Sequence, residues 1–269
     1  MNKTKIDWAD MTWNPVTGCL HGCEYCYARG IARRFANSKK EWKCVSFGQL
    51  HCKGNIKMPI LDSPVMFQNE GGFETRICAY PAEFTPTFHR YRLDEPKHIK
   101  KPQRIFVCSM ADLFGEWVPD EWIEQVFDAC RKAPQHTYIF LTKNFVHAAK
   151  FRYRDNWWIG TSFTDGSLHA LSGDPWSVDG INRANHFLSI EPILGPVNDL
   201  RYYLYTFKWV IIGAETGNRK GKVVPQREWV ERIARDCRAA GVPVFMKESL
   251  RELMGSDFVQ EWPADMVRR

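Results

Sequence analysis

An α/β fold built on parallel strands, forming a partial or complete (βα) barrel, is what this sequence predicts. Three observations carry the prediction. From Ile77 onward, apolar runs of strand length recur along the chain. Several are nearly unbroken in apolar residues, as in parallel strands covered on both faces. Helical stretches fall between them, and strand–helix alternation is the mark of a βα repeat. The chain has 269 residues, 44% of them hydrophobic, which suffices for a sizeable core. Nothing in the composition sets off a second domain, so 1–269 reads as one domain with a surface insertion at about 37–76.

A short strand is expected just before Cys19. The stretch Ala28 to Ala36 has Ala28, Ile31, Ala32 and Phe35 at helical spacing. Residues 37–76 carry Gly48, Gly54, Pro59, Pro64, Gly71 and Gly72 with little periodicity, and read as an irregular excursion. Cys44, His51 and Cys52 lie there at a spacing that matches no zinc-ligand pattern, and read as incidental. An extended run, Ile77 to Tyr80, then leads to a proline-bounded helix near Pro86 to Leu93.

The strand candidates that follow are Arg104–Ser109, Thr137–Thr142, Trp157–Ser162, His186–Ile190, Trp209–Gly213 and Val242–Lys247. Between them, Pro119–Ala133 places Trp122, Val126, Phe127 and Cys130 on one helical face. Pro225–Ala240 does the same with Trp229, Ile233 and Cys237, and Gly241 stops it. About eight strands in all fit a βα barrel. The stretch Ser172–Asn182 reads as a loop or lid over the strand ends.

Reactive groups of βα barrels gather at the C-terminal ends of strands. Here those ends carry Ser109 and Asp112, Thr142 and Lys143, Thr161 and Ser162, Ser189 and Glu191, Glu215, and Lys247 with Glu248. Polar loop starts are general, but a lone Glu directly after an apolar strand occurs twice, as does a lone Lys. A shared pocket accounts for that pattern. His136, His147, His169 and His186 have no partner at metal-ligand spacing and read as structural or surface residues. No glycine-rich phosphate loop and no nucleophile–base arrangement can be assigned.

The formal net charge is +6 with pI near 8.8. It allows a phosphate-rich partner such as nucleic acid, although the basic residues form only short clusters, at Arg33-Arg34, Lys39-Lys40 and Lys97 to Arg104. No run of about 18 apolar residues appears, so no membrane span is expected. The polar N-terminus has no signal-peptide character, and a cytoplasmic location is expected. Nine scattered cysteines argue for metal or redox use of a subset rather than for a disulfide framework.

That subset is Cys19, Cys23 and Cys26, in the segment Trp13-Asn-Pro-Val-Thr-Gly-Cys19-Leu-His-Gly-Cys23-Glu-Tyr-Cys26. The spacing is C-x3-C-x2-C. A zinc knuckle needs a fourth ligand, and His21 is poorly placed to be it. A four-iron cluster usually takes four thiolates, so three leave one iron open for a substrate or cofactor.

At these residues the sequence resembles the radical S-adenosylmethionine (SAM) superfamily, whose signature is C-x3-C-x2-C with an aromatic residue, here Tyr25, just before the last cysteine. The resemblance extends over most of the chain to a phage-associated branch sharing Ser109-Met-Ala-Asp-Leu-Phe114, Leu141-Thr-Lys143, Ser189-Ile-Glu-Pro192 and Val210 to Glu215. It implies that Cys19, Cys23 and Cys26 hold a [4Fe–4S] cluster whose fourth iron binds SAM. One electron, from a partner such as flavodoxin or ferredoxin, then cleaves SAM to a 5′-deoxyadenosyl radical that takes hydrogen from a substrate. Tyr25 is implied near the adenine; by position alone Ser109, Asp112, Ser162 and Glu191 are further cofactor-binding candidates, and Glu215 and Lys247 are catalytic candidates, with Glu191, Glu215 and Lys247 facing SAM or the substrate. The superfamily's Gly-Gly-Glu motif has no counterpart here, since Gly71-Gly72-Phe73-Glu74 holds an extra Phe and precedes the expected strand. Cys108 is a hydrogen-donor candidate only against strand alternation, which turns it away if Ser109 points inward. The substrate class implied by phage association and charge is a nucleotide or nucleic acid. A non-catalytic nucleic-acid-binding protein with structural zinc or iron–sulfur is the alternative from a different class.

Overall fold

The computed structural model describes residues 1–36, 43–44, 49–53, 55–68, 75–168 and 185–266. They divide into two compact units, Met1–Phe140 and Leu141–Arg269. Among the described residues, no helix is long and apolar enough to cross a membrane.

The first unit is built on β1 (Asn2–Lys3), β2 (Met11–Trp13), β3 (Arg104–Val107) and the start of β4 (Thr137–Thr142). β1 runs antiparallel to β2, while β2, β3 and β4 are parallel neighbours, with Ile105 opposite Met11 and Tyr138. α1 (Tyr27–Phe35) follows the cysteine segment. α2 (Asp120–Arg131) buries Trp122, Ile123, Val126, Phe127 and Cys130. Asp120 and Glu121 in its first turn offset the helix dipole. Phe127 meets Phe140 of β4 at 5.3 Å and Phe114 at 6.2 Å between ring centroids, within the range in which aromatic pairs attract.

Three expectations for this unit give way. The stretch 37–76 is not irregular where it is described. Gln49–Lys53 and Ile56–Leu61 are paired strands, joined through Thr87–His89 to Val16–Thr17, and Lys43–Cys44, Met66–Gln68 and Thr75–Ile77 form a three-stranded antiparallel sheet. Gln49–Lys53 exposes most of its side chains, so it has no apolar alternation to read; its order comes from pairing, not propensity. The expected second barrel strand near Ile77 therefore belongs to that antiparallel sheet. The expected helix at Pro86–Leu93 is a strand, Thr87–His89, with all three residues buried, and then a 3-10 turn, Arg90–Arg92.

The second unit holds β5 (Trp158–Phe163), β6 (Asn185–Ile190), β7 (Trp209–Ile212) and β8 (Val244–Met246), all parallel neighbours in that order. α3 (Arg227–Ala240) packs Val230, Ile233, Ala234 and Cys237 into the cluster that holds Leu188, Ile190, Val210, Ile212, Val244 and Met246. The alternate strand residues form an aromatic layer. Trp209 lies 6.0 Å from Trp158, 5.9 Å from Phe187, 5.8 Å from Phe245 and 5.2 Å from Trp262. Covered faces on both sides explain why these strands read as continuous apolar runs. Both units are thus α/β with parallel neighbouring strands.

Candidate functional site

The cysteine segment of the first unit is held at every turn by its neighbours. β2 ends at Trp13, fully buried, whose indole donates to the Arg92 carbonyl at 2.9 Å. Asn14 follows, and its Oδ1 accepts from the Ser109 hydroxyl at 3.2 Å and the Met110 amide at 3.0 Å. Thr17 Oγ1 lies 2.8 Å from His89 Nε2. Gly18 then turns the chain at φ +87°, where a Cβ would sit 2.3 Å from the Thr85 carbonyl oxygen. Its amide donates to the Met110 carbonyl at 2.9 Å, and the Cys19 amide to the Phe84 carbonyl at 3.1 Å. Only glycine tolerates that conformation and that approach together.

Beyond Cys19, His21 Nε2 lies 2.7 Å from Asp112 Oδ2, and its ring meets Trp117 edge-on at 4.9 Å. Asp112, itself buried, accepts the Phe114 amide on Oδ1 at 3.0 Å. Cys26 caps α1, its Sγ accepting from the Arg29 amide at 3.4 Å. Tyr27, at the first turn, donates its hydroxyl to the Ser109 carbonyl at 2.8 Å. The segment 109–112 thus grips the cysteine loop at Gly18, His21 and Tyr27.

Cys19, Cys23 and Cys26 are all partly exposed. Burial pushes the Cys19 thiol up to about 12, and negative charge on Asp112, Cys26 and Cys23 adds to the rise against a bond from the His21 backbone. The sulfurs of Cys23 and Cys26 and the Asp112 carboxylate are therefore within electrostatic reach of Cys19. Among the described residues, no three Cys, His, Asp or Glu side chains are placed to hold a metal ion. Ligands of one ion must point at one atom, whereas cluster thiolates each bind a different iron. Three thiols on one loop are donors of the kind that an iron–sulfur cluster takes. Cys108 stands apart: it is fully enclosed at φ +58°, and burial pushes its thiol up to about 12. Cys78 is buried beside Leu61 and Val65.

In the second unit, the polar strand ends form pairs of their own. Lys143 donates to the Ser162 hydroxyl at 3.1 Å. Ser162 lies opposite Ser189 in the β5–β6 register, and the buried hydroxyls of Ser189 and Thr161 have no hydrogen-bond partner among the described residues. Lys247 is ion-paired with Glu191. Gly213 makes room for that pair, since a Cβ there would lie 3.0 Å from Lys247 Cδ and 3.5 Å from Glu191 Cδ. Glu215 is different. Its buried carboxylate accepts Arg219 Nε at 2.6 Å and Nη2 at 2.8 Å, and the Val223 amide at 3.4 Å. The Arg219 bond leads in holding its pKa below the usual carboxylate value. The group expected to face substrate anchors the loop that follows β7.

Tyr25, partly buried, lies on the cysteine loop, and Ser109 and Asp112 sit beside that loop. Ser162, Glu191 and Lys247 fall together at the strand ends of the second unit. The Gly71-Gly72-Phe73-Glu74 segment, His169 and the Ser172–Asn182 lid lie outside the described residues. Sequence reasoning missed Asn14, His21 and Tyr27 as positioning groups. Asn14 was within reach, since it is a polar residue directly after a strand, like those that were singled out. The His21–Asp112 and Tyr27–Ser109 contacts span more than eighty residues and leave no local signal.

A family described as "Protein of unknown function (DUF5131)" matches residues 3–252. No curated protein and no solved structure matches the chain.

Proposed function

We propose, for a chain that belongs to the DUF5131 family, that it is a radical SAM enzyme whose Cys19, Cys23 and Cys26 hold a [4Fe–4S] cluster. The observation that carries the reading is the thiol set itself: three partly exposed cysteines on one loop at C-x3-C-x2-C spacing, which would leave the fourth iron of such a cluster open. When bound, the cluster and SAM supply one-electron reductive cleavage of SAM, which starts radical chemistry on a substrate. The partial or complete (βα) barrel expected from the strand–helix alternation is part of the same proposal.

The chain's own residues supply position and polarity. Gly18, His21 and Tyr27 carry the contacts that fix the loop against residues 109–112. Asp112 holds His21 and, through it, the stretch between the first two thiols. Ser109 does the same for the start of α1 through its carbonyl. Tyr25 offers an aromatic face beside the thiols. In the second unit, Lys143 with Ser162, and Lys247 with Glu191, present paired donors and acceptors for polar groups of a cofactor or substrate. The partly buried Lys247–Glu191 pair sets an ammonium and a carboxylate in direct contact at the strand ends, the residue types that general acid–base work uses. Glu215 acts through Arg219 and the loop. The formal charge of +6 favours a nucleotide or nucleic acid as substrate.

The test is direct. The full chain is purified anaerobically, reconstituted with iron and sulfide, reduced with dithionite and given SAM. Brown colour, about four irons per chain and release of 5′-deoxyadenosine are expected, and Cys23→Ala is expected to lose the visible absorbance. A colourless, zinc-loaded protein that never cleaves SAM overturns the reading in favour of a structural metal site.

A further inference from the structure

A basic groove lies on the first unit, away from the cysteine loop. It is shallow and opens broadly to solvent, with a volume of ≈ 570 Å³, and is lined by Lys97, His98, Lys100, Lys132 and Gln135, with exposed Lys101 next in the chain. Asp94 is the acid at its edge, ion-paired with Lys97 at 2.7 Å. Glu95 is taken by the N-terminal ammonium. Lys97, His98 and Lys132 all help hold the Asp94 carboxyl below its usual pKa, after the Lys97 hydrogen bond, so their charges converge on one place.

The groove is built from fixed parts. Buried His136 ties its two walls, accepting the Gln103 amide on Nδ1 at 3.2 Å and meeting the Pro96 carbonyl through Nε2 at 3.0 Å. Gln135 donates to the Ile99 carbonyl at 2.9 Å. Lys132 caps the C-terminus of α2. The lysine stems thus rise from two segments, 96–103 and 132–136, locked to one another by side-chain bonds.

We propose that this groove binds the phosphate backbone of a nucleic acid strand. Its charge is the complement of a polyanion, and among the described residues that line it His98 supplies the one ring able to stack on a base, so binding is mainly electrostatic, through the phosphates, and carries little sequence preference. Its place selects a polymer. The groove sits at the N-terminal ends of β3 and β4, where Arg104 faces Thr137. The cysteine loop meets the other end, where Gly18 bridges Ala111. A small anion held in the groove never reaches the thiol loop, whereas a long strand gains from charge placed at a distance from it. The inference rests on the proposed function for what the strand is bound for, while the binding itself does not depend on it.

The experiment compares full-length protein, with and without reconstituted cluster, by fluorescence anisotropy with a labelled single-stranded oligonucleotide across about 50 to 200 mM salt. Lys97→Gln/Lys100→Gln/Lys132→Gln removes the groove charge. Arg232→Gln/Arg235→Gln/Arg238→Gln, on the exposed face of α3, removes the same charge elsewhere. Wild type is expected to bind with a log–log salt slope of about −2, near −0.7 for each of roughly three phosphates. The groove variant should lose about tenfold or more in affinity at low salt and most of the slope, with the α3 variant near wild type. Equal loss in both variants overturns the proposal, as does no binding by wild type. Competition by polyglutamate or inorganic phosphate as strong as by unlabelled oligonucleotide overturns it in favour of an acidic protein or a small anion. SAM cleavage, measured without nucleic acid on the same preparations, reports separately on the proposed function.

Discussion

His89 shows how one buried side chain ties the cysteine loop to the sheet behind it. It is fully buried, with Nε2 2.8 Å from Thr17 Oγ1, two residues before Cys19. Burial holds its pKa well below 6.5, and the Arg92 charge adds to the depression. In the unfolded chain the ring titrates near 6.5. Above that pH neither state carries the proton, and the linkage costs nothing. As pH falls below it, the unfolded chain takes up a proton that the folded one refuses, so stability falls by up to about 1.4 kcal/mol per pH unit until the folded pKa is reached. Buried His136, also depressed by burial, acts in the same direction. Urea midpoints should therefore drop between about pH 7.5 and about pH 5. His89→Gln should flatten that drop without abolishing it, and should cost about 1 kcal/mol at neutral pH through the weakened Thr17 bond. Parallel pH curves for variant and wild type would show that His89 carries none of the effect. At this scale the thiols were legible because cysteine chemistry is local to the residue. Asp112 was legible only as a polar strand end; that it holds His21 is a tertiary fact.

Loops and helices differ in how much of their geometry is written locally. α2 and α3 were readable because an amphipathic face repeats along the chain, and Gly241 ends α3 at φ +67° as a glycine stop should. The turn into the cysteine loop was not, because its constraint comes from elsewhere in the first unit. Gly18 and Gly22 both have positive φ, yet a Cβ at Gly22 meets nothing within 4 Å while one at Gly18 runs into Thr85 and Phe84 backbone. Gly22→Ala should cost about 1 kcal/mol, the left-handed penalty alone. Gly18→Ala adds a clash with backbone that cannot yield, for a total of about 3 kcal/mol. Denaturation midpoints measure the difference, and iron per chain after reconstitution should fall for Gly18→Ala and hold for Gly22→Ala. Equal costs would mean that the turn is free to move off residues 84–85. The strand Thr87–His89 makes the same point in reverse. Its sequence suggested a helix, and burial between Val16–Thr17 and Ile56–Leu61 made it a strand.

At the scale of the molecule, environment separates the described cysteines into two populations. Cys78, Cys108, Cys130 and Cys237 are buried, whereas Cys19, Cys23 and Cys26 are partly exposed and Cys52 is exposed. Burial raises the pKa of Cys108, Cys130 and Cys237, which lowers the thiolate fraction that alkylation needs. In native, cluster-free protein, iodoacetamide should label Cys23, Cys26 and Cys52, with Cys19 slower because its own thiol is pushed up to about 12. Reconstitution should protect the three loop cysteines and leave Cys52 labelled, as read by peptide mass spectrometry. Protection of Cys52, or none at the loop, would place the cluster elsewhere or nowhere. By itself the sequence determined the α/β class, the parallel strand runs, the two long helices and the thiol triplet, because periodicity and residue chemistry act over a few neighbouring positions. Only the tertiary structure decided that residues 109–112 clamp the thiol loop, that Glu215 anchors a loop, that Lys247 pairs with Glu191 beside Gly213, and that scattered lysines meet in one groove. Apart from Glu215 and Arg219, which are four residues apart and meet through the fold of their own loop, those pairings join residues far apart in the chain, and strand register and burial, which no local pattern encodes, bring them together.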